Sequence, residues 1–337
     1  MKIIDLFSGI GGFSLGFQRA GYHFTEHYFS EIDKHAIANY KNNFPNAKYI
    51  GDITTLHGGD FTGIDIITFG SPCQDFSLAG KRAGLAGAKS SLIQYAIALI
   101  TCVRPSVFIW ENVKGTFSSN AGADFWAILQ AFTHIGGYRL EWQLLNTKWV
   151  LPQNRERIYL IGHLAGRSQP GVFPITEDDC APRKEKTYQF QAKLSETLKA
   201  NGNMNADDTY IIPKTASTLT GGGHSGGLHS DMTIIQINPS KESGGKQPYQ
   251  QNRVFDEKGI SPALTRHNSD YAISRMRRLT EIECERLQGF PDNWTQYGNY
   301  NGDIKPIART QRYKLIGNAV TVDIVELIAK RLKFTTQ

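Results

Sequence analysis

Cys73 stands in the octapeptide Gly70-Ser71-Pro72-Cys73-Gln74-Asp75-Phe76-Ser77, directly after the apolar run Ile64-Asp65-Ile66-Ile67-Thr68-Phe69. β-Branched and aromatic residues favour an extended chain and Gly-Ser-Pro ends it, so the run predicts a buried strand with Cys73 on the loop at its carboxyl end. In open α/β sheets, ligands and catalytic groups gather at such loops. A thiol there becomes a strong nucleophile once positive charge or hydrogen bonds lower its pKa, and Lys81, Arg82 and Lys89 lie in the same segment. Taken alone, a loop cysteine is more often chemically idle. A second group shifts that balance. Ser106-Val107-Phe108-Ile109-Trp110 predicts the next strand and delivers Glu111-Asn112-Val113 one β-α-β step away, at the same end of the sheet. Apolar Trp110 and Val113 favour the protonated form of the carboxyl between them, which suits proton transfer; a surface acid is the plain alternative. In Leu151-Pro152-Gln153-Asn154-Arg155-Glu156-Arg157, the two arginines alternate. On a strand they share a face and can fork toward a carbonyl or phosphate, or they are solvated charges beside Glu156.

These groups need a scaffold and a ligand site. Lys2-Ile3-Ile4-Asp5-Leu6-Phe7 predicts a strand, Ser8-Gly9-Ile10-Gly11-Gly12 a turn, and Phe13 to Phe17 the start of a helix. Gly9, Gly11 and Gly12 let the backbone approach a ligand and leave the helix N-terminus open to it. Glu31 ends the next strand, His27-Tyr28-Phe29-Ser30, at the place where a carboxylate meets ribose hydroxyls. Asp52, in Tyr49-Ile50-Gly51-Asp52-Ile53-Thr54, repeats the pattern and can reach an exocyclic amine. Capping of the following helices is the simpler role for both acids. NAD and S-adenosylmethionine both fit at this point. The lack of Gly-x-Gly-x-x-Gly leans away from a dinucleotide.

The remaining elements follow in order. Ser91 to Val103 predicts a helix, and Tyr138 to Thr147 with Arg157 to Gly162 predicts two strands at an antiparallel edge. From about Leu164 apolar periodicity fades, and 165–274 reads as a smaller, irregular, mostly β domain with 12 basic against 12 acidic residues. Thr280 and Glu283 form a capping box for a helix over Glu281 to Gln288, and Val322 to Leu332 predicts a closing helix. The expected architecture is α/β, with a first domain built from 1–164 and 275–337. Of the net charge of +6, most sits in 275–337, with 11 basic and 7 acidic residues, and it weakly favours a polyanionic partner. Cys73, Cys102, Cys180 and Cys284 have no paired spacing, so neither a disulfide framework nor a metal site is expected. The longest apolar run, Leu92 to Val103, is too short for a bilayer, and the N-terminus enters a strand at once, so a soluble cytoplasmic protein is expected.

Eight blocks carry a resemblance to the bacterial and phage DNA (cytosine-5-)methyltransferase family. They are Asp5 to Phe13, Glu31-Ile32-Asp33, Gly51-Asp52-Ile53, Ser71-Pro72-Cys73-Gln74, Glu111-Asn112-Val113, Gln153 to Arg157, Arg278-Leu279-Thr280 with Gln288-Gly289-Phe290-Pro291, and Gly317-Asn318-Ala319-Val320. They occur in the family's order across nearly the whole chain. The resemblance implies a Rossmann-like domain binding S-adenosyl-L-methionine, with 165–274 as the target-recognition domain. It places Phe7 on the adenine, Gly9, Gly11 and Gly12 at the turn, Glu31 on the ribose with Ile32 beside it, and Asp52 and Ile53 at the adenine edge. Pro72 and Leu92 line the cofactor, and Asn318 meets its methionine end. It makes Cys73 the nucleophile at cytosine carbon 6 and Glu111 the acid at ring nitrogen 3. Arg157 holds the base carbonyl and Arg155 lies near the Cys73 loop. The base must leave the duplex stack. The stretch from Gln74 to Lys89 would close over it, with Gln74, Ser77, Lys81, Arg82 and Lys89 on DNA, and Thr218-Leu219 resembles a dipeptide of recognition domains. The implied partners are double-stranded DNA and a restriction endonuclease sharing the site; a monomer suffices, and no metal is needed. The rivals are a tRNA methyltransferase, whose Cys-Phe-Thr tripeptide is absent here, and a non-catalytic DNA-binding relative, which the intact Cys73, Glu111, Arg157 and Asn318 oppose.

Overall fold

The computed structural model describes residues 1–71, 92–180 and 279–335. Its strands are β1 (Lys2–Leu6), β2 (Glu26–Ser30), β3 (Lys48–Tyr49), β4 (Ile66–Gly70), β5 (Val107–Val113), β6 (Tyr138–Asn146) and β7 (Glu156–Leu164). They form one sheet in the order β3-β2-β1-β4-β5-β7-β6. β1 to β5 run parallel, while β7 is antiparallel to both β5 and β6. The winding reverses between β1 and β4, and the crevice at the carboxyl ends of those strands is where such sheets bind ligands.

The helices are α1 (Gly12–Arg19), α2 (Lys34–Asn43), α3 (Leu92–Val103), a short α4 (Gly115–Ser118), α5 (Ala123–His134), α6 (Glu281–Leu287), α7 (Arg309–Asn318) and α8 (Val322–Arg331). They cover both faces of the sheet, as the period-two pattern of the strands requires. Ile3, Ile66 and Ile109 share one apolar cluster with Phe17 of α1 and Ile324 and Ile328 of α8. Ile4, Ile67, Phe108 and Trp110 share another with Ile93 and Ile100 of α3 and Phe125 and Phe132 of α5. The closing helix thus returns to α1. The approach is close enough that a Cβ on Gly16 would lie 2.5 Å from Val325 Cγ1.

Past residue 165, where apolar periodicity fades, the described chain still packs on the closing helix. β8 (Ser168–Gln169) pairs with the terminal β11 (Lys333–Phe334). Val172, Ile175 and Cys180 are buried with Ile324 and Ile328. Arg331 donates to the Val172 and Pro174 carbonyls at 3.2 and 2.7 Å and pairs with Asp179 at 2.5 Å. Backbone carbonyls satisfied by one arginine leave no periodic trace in the sequence. Residues 181–274, Thr218 and Leu219 among them, lie outside the described residues. Helices α5 and α7 and the hairpin of β9 (Tyr297–Tyr300) and β10 (Asp303–Pro306) were not expected. Among the described residues, no helix is long and apolar enough to cross a membrane and no group of side chains could hold a metal ion.

Candidate active site

β4 and β5 set Gly70 directly opposite Glu111. The carboxylate lies over the glycine, and a Cβ at residue 70 would stand 3.0 Å from Glu111 Oε2. Successive side chains of a strand point to opposite faces, so Trp110 and Asn112 face away from Glu111. Both reach Ser71. Trp110 Nε1 donates to Ser71 Oγ at 3.0 Å, and Asn112 Nδ2 donates to the Ser71 carbonyl at 3.2 Å and to Oγ at 3.3 Å. Cys73 follows two positions later. Together with Pro72, Gln74, Ser77, Lys81, Arg82 and Lys89 it lies outside the described residues.

Glu111 is not at a strand end as expected, because β5 continues to Val113, opposite Arg157 of β7. This register brings Arg157 Nε to 3.1 Å from Glu111 Oε1, with both side chains mostly buried. The ion pair lacks hydrogen-bond alignment, so among the described residues Oε1 has no hydrogen-bond partner. Arg157 Nη1 donates to the Glu156 carbonyl at 2.8 Å. Opposite Glu111, Tyr159 is fully buried, and burial followed by the Glu111 charge raises its phenol pKa.

The two arginines do not converge on one group, as a shared fork would require. Buried Arg155 donates through Nη1 to the Gly317 carbonyl at 3.2 Å and through Nη2 to the Ala319 carbonyl at 2.8 Å. Those carbonyls flank Asn318, which is exposed at the end of α7. Gln153 is fully buried, and among the described residues neither carboxamide atom has a hydrogen-bond partner. It belongs to the quoted block, but nothing in its residue type marked it out.

The turn after β1 needs unusual backbone: φ is 49° at Phe7, 54° at Gly9 and 83° at Gly11. A Cβ on Gly12 would lie 2.6 Å from Val320 Cγ2, so glycine there lets the Asn318 segment lie against the start of α1. Gly9 N–H donates to Glu31 Oε2 at 2.9 Å, and the Ile32 and Asp33 amides donate to Oε1 at 2.8 and 3.0 Å. Glu31 therefore is not a helix cap. Asp33 caps α2, and Asp52 caps a 3-10 turn, Ile53–Thr55, through Thr54 N–H at 3.0 Å. Phe7 and Leu92 pack on the apolar cluster that contains buried Ile53, whereas Ile32 is 74% exposed.

Beneath this turn lies a buried polar knot. Asp5 accepts from Thr68 Oγ1 at 2.9 Å and from the Ser14 and Tyr40 hydroxyls at 3.1 Å each. His27 Nε2 is 2.7 Å from the Tyr40 hydroxyl and 3.0 Å from that of Ser14. Burial pushes Asp5 up to about 7 and His27 down to about 4.

The family of C-5 cytosine-specific DNA methylases matches residues 1–334. The chain belongs to this family. The Type II methyltransferase M.Bsp6I of Bacillus sp. (strain RFL6) is 30% identical over 349 residues, spanning 98% of this chain and 98% of the relative. Type II methyltransferase M1.ScrFI of Lactococcus lactis subsp. cremoris is 31% identical over 342 residues, spanning 98% of this chain and 77% of the relative. The crystal structure of the S. pombe Dnmt2 methyltransferase superposes with a TM-score of 0.63 at 21% identity, covering 98% of this chain and 97% of that one, a likeness of fold. For a methylase of this family the polar inventory of the turn fits S-adenosylmethionine. Among the described residues, Ser8 Oγ is buried without a partner, no side chain caps α1, and Glu31 Oε2 accepts one backbone amide. Hydroxyls and a carboxylate are the groups that such a set takes.

Proposed function

We propose that the chain methylates carbon 5 of a cytosine within a specific double-stranded DNA sequence, with Cys73 as nucleophile and Glu111 as acid. The observation that carries this reading is the buried Glu111–Arg157 pair, mounted over Gly70 where the chain leads into Ser71-Pro72-Cys73. S-Adenosyl-L-methionine supplies an electrophilic methyl group when bound. Phe7, Ile53, Leu92 and Pro72 offer its adenine an apolar wall, with Asp52 at the amine and Ile32 over the exposed side. Glu31 takes a ribose hydroxyl on Oε2. Gly9, Gly11, Gly12 and Asn318 border the methionine end.

The Cys73 thiolate gives its electron pair to carbon 6, and the displaced ring electrons move to nitrogen 3, where Glu111 delivers a proton. Carbon 5 is thereby made an enamine carbon able to take the methyl group. Loss of the carbon-5 proton then expels Cys73 and restores the ring. The guanidinium of Arg157 has five donors; Nη1 donates to the Glu156 carbonyl and Nε makes the ion pair with Glu111. Others serve the base carbonyl. Arg155 acts at one remove, holding the carbonyls on either side of Asn318. The target base must be swung out of the duplex, since its ring face is hidden there. Gln74, Ser77, Lys81, Arg82 and Lys89 are assigned to DNA, and the domain expected over 165–274 to reading the site. The relatives named as Type II methyltransferases support a partner endonuclease with the same target, and one subunit is enough to read one site.

Conversion sequencing of plasmid DNA from cells devoid of their own cytosine methylation tests this. Expression of the chain protects cytosines in one short context, and Cys73→Ser abolishes the protection. Folded protein that protects no cytosine overturns the reading.

A further inference from the structure

The chain leaving β4 is anchored by a hydroxyl. Ser71 is buried, and its Oγ sits between two donors, the Trp110 indole N–H at 3.0 Å and the Asn112 amide at 3.3 Å. Neither donor is free to wander. Trp110 is fully buried, stacked on Phe125 with ring centroids 6.5 Å apart and planes 19° apart, and tilted against Phe132 at 5.9 Å. Asn112 is oriented through Oδ1, which accepts from Thr116 Oγ1 at 3.0 Å and from Val113 N–H at 2.8 Å. Donors held this way form a preorganised cradle.

Their position along β5 gives the cradle its purpose. Trp110 and Asn112 are the immediate neighbours of Glu111, so the acid and the exit from β4 are held by one tripeptide, on opposite faces of the sheet. Gly70 completes the mount by letting the Glu111 carboxylate rest above it. We propose that the Ser71 hydroxyl, clasped by Trp110 and Asn112, is a positioning residue for methyl transfer: it sets the chain's exit toward Cys73 in register with Glu111. The proposal rests on the reading of Cys73 as nucleophile. Reaction rates respond steeply to small displacements of groups that must meet one atom, so a lost anchor here acts on the chemical step and not on cofactor binding.

Ser71→Ala, Ser71→Thr, Trp110→Phe and the Ser71→Ala/Trp110→Phe double variant test it, with Cys73→Ser in parallel. The measurements are single-turnover methyl transfer, KM for DNA, Kd for S-adenosylmethionine and thermal unfolding. Ser71→Ala and Trp110→Phe each slow transfer about tenfold, equivalent to about 1.4 kcal/mol on the barrier, with both binding constants unchanged. Ser71→Thr restores the acceptor and recovers the rate, and the double variant is no slower than either single one. Trp110→Phe keeps the ring stack and carries the test by itself if Ser71→Ala does not fold. Wild-type rates in the folded variants, beside an inactive Cys73→Ser, overturn the proposal alone; so does a loss confined to cofactor or DNA affinity. A Cys73→Ser enzyme that still methylates overturns the underlying reading, and with it the purpose of the anchor.

Discussion

Glu111 and Arg157 meet across strands that run in opposite directions, Nε to Oε1 at 3.1 Å, in surroundings that admit little water. The pair is therefore both a structural and a chemical unit. Removing one member strands the other charge in a poorly solvated site, at a cost of about 3 kcal/mol, whereas removing both is far less destabilising. Arg157→Ala should accordingly lower the denaturant midpoint, and Arg157→Ala/Glu111→Gln should regain most of it. Neither should methylate DNA at more than about a hundredth of the wild-type rate, since either loss removes an acid–base or electrostatic contribution of that order. A double variant no more stable than Arg157→Ala would show that the carboxylate was not held by the charge.

Gly70 has an ordinary backbone conformation, so its requirement is spatial. A methyl group there meets Glu111 Oε2 at 3.0 Å, and the carboxylate must yield. Gly70→Ala is expected to fold and to transfer methyl groups about tenfold more slowly, the effect of displacing one proton-transfer group by a few tenths of an ångström. An unchanged kcat would mean that the carboxylate shifts without consequence.

Glu31 joins two turns of the cofactor site by accepting amides from Gly9, Ile32 and Asp33. In Glu31→Gln one carboxylate oxygen becomes an NH2 group, which cannot accept. Each orphaned amide costs the fold about 1 kcal/mol or more, and the ribose hydroxyl loses a charged acceptor, so affinity for S-adenosylmethionine should fall by about tenfold in calorimetric titration. Equal affinity would assign the ribose contact elsewhere.

The Asp5 knot predicts a pH dependence of defined sign. Asp5 is raised from 3.8 to about 7, so the folded state holds its proton more tightly, and the stability this provides is lost as pH rises from about 4 to about 7. His27 is lowered from 6.5 to about 4, so its contribution rises with pH over most of the same window. The two slopes oppose one another. Asp5→Asn removes only the first, and the stability of the variant relative to wild type should increase from pH 4 to pH 7 in urea titrations. A difference that stays constant across that window would place Asp5 outside the titration.

The strands that lead to Phe7, Glu31 and Ser71 and carry Glu111 are legible because buried parallel strands are short, apolar and punctuated by glycine or acid. The family blocks named most of the residues that the fold gathers. What was illegible depends on contacts between distant residues of ordinary type. Ser71 is of an ordinary type, and the Trp110 indole that rests on it comes from 39 positions away. His27 reads as a strand residue, and only the fold closes it and Tyr40 of α2 onto Asp5. Arg155 looked like a partner of Arg157, but its neighbours are carbonyls more than 160 residues later. Helix α7 escaped because its polar sequence has no apolar stripe, and its few buried residues, Leu315 to Gly317, lie together near its end.

The seat of α8 on α1, with Gly16 against Val325, also orders events during synthesis. The ribosome makes α1 first and α8 roughly 300 residues later, an interval of about 15 to 60 s at about 5 to 20 residues per second. Until then Phe17 and its neighbours lack their cover, and Asn318 has not been translated. A nascent chain therefore cannot mark DNA while still attached by its middle. Competence arrives only once α8 has been made.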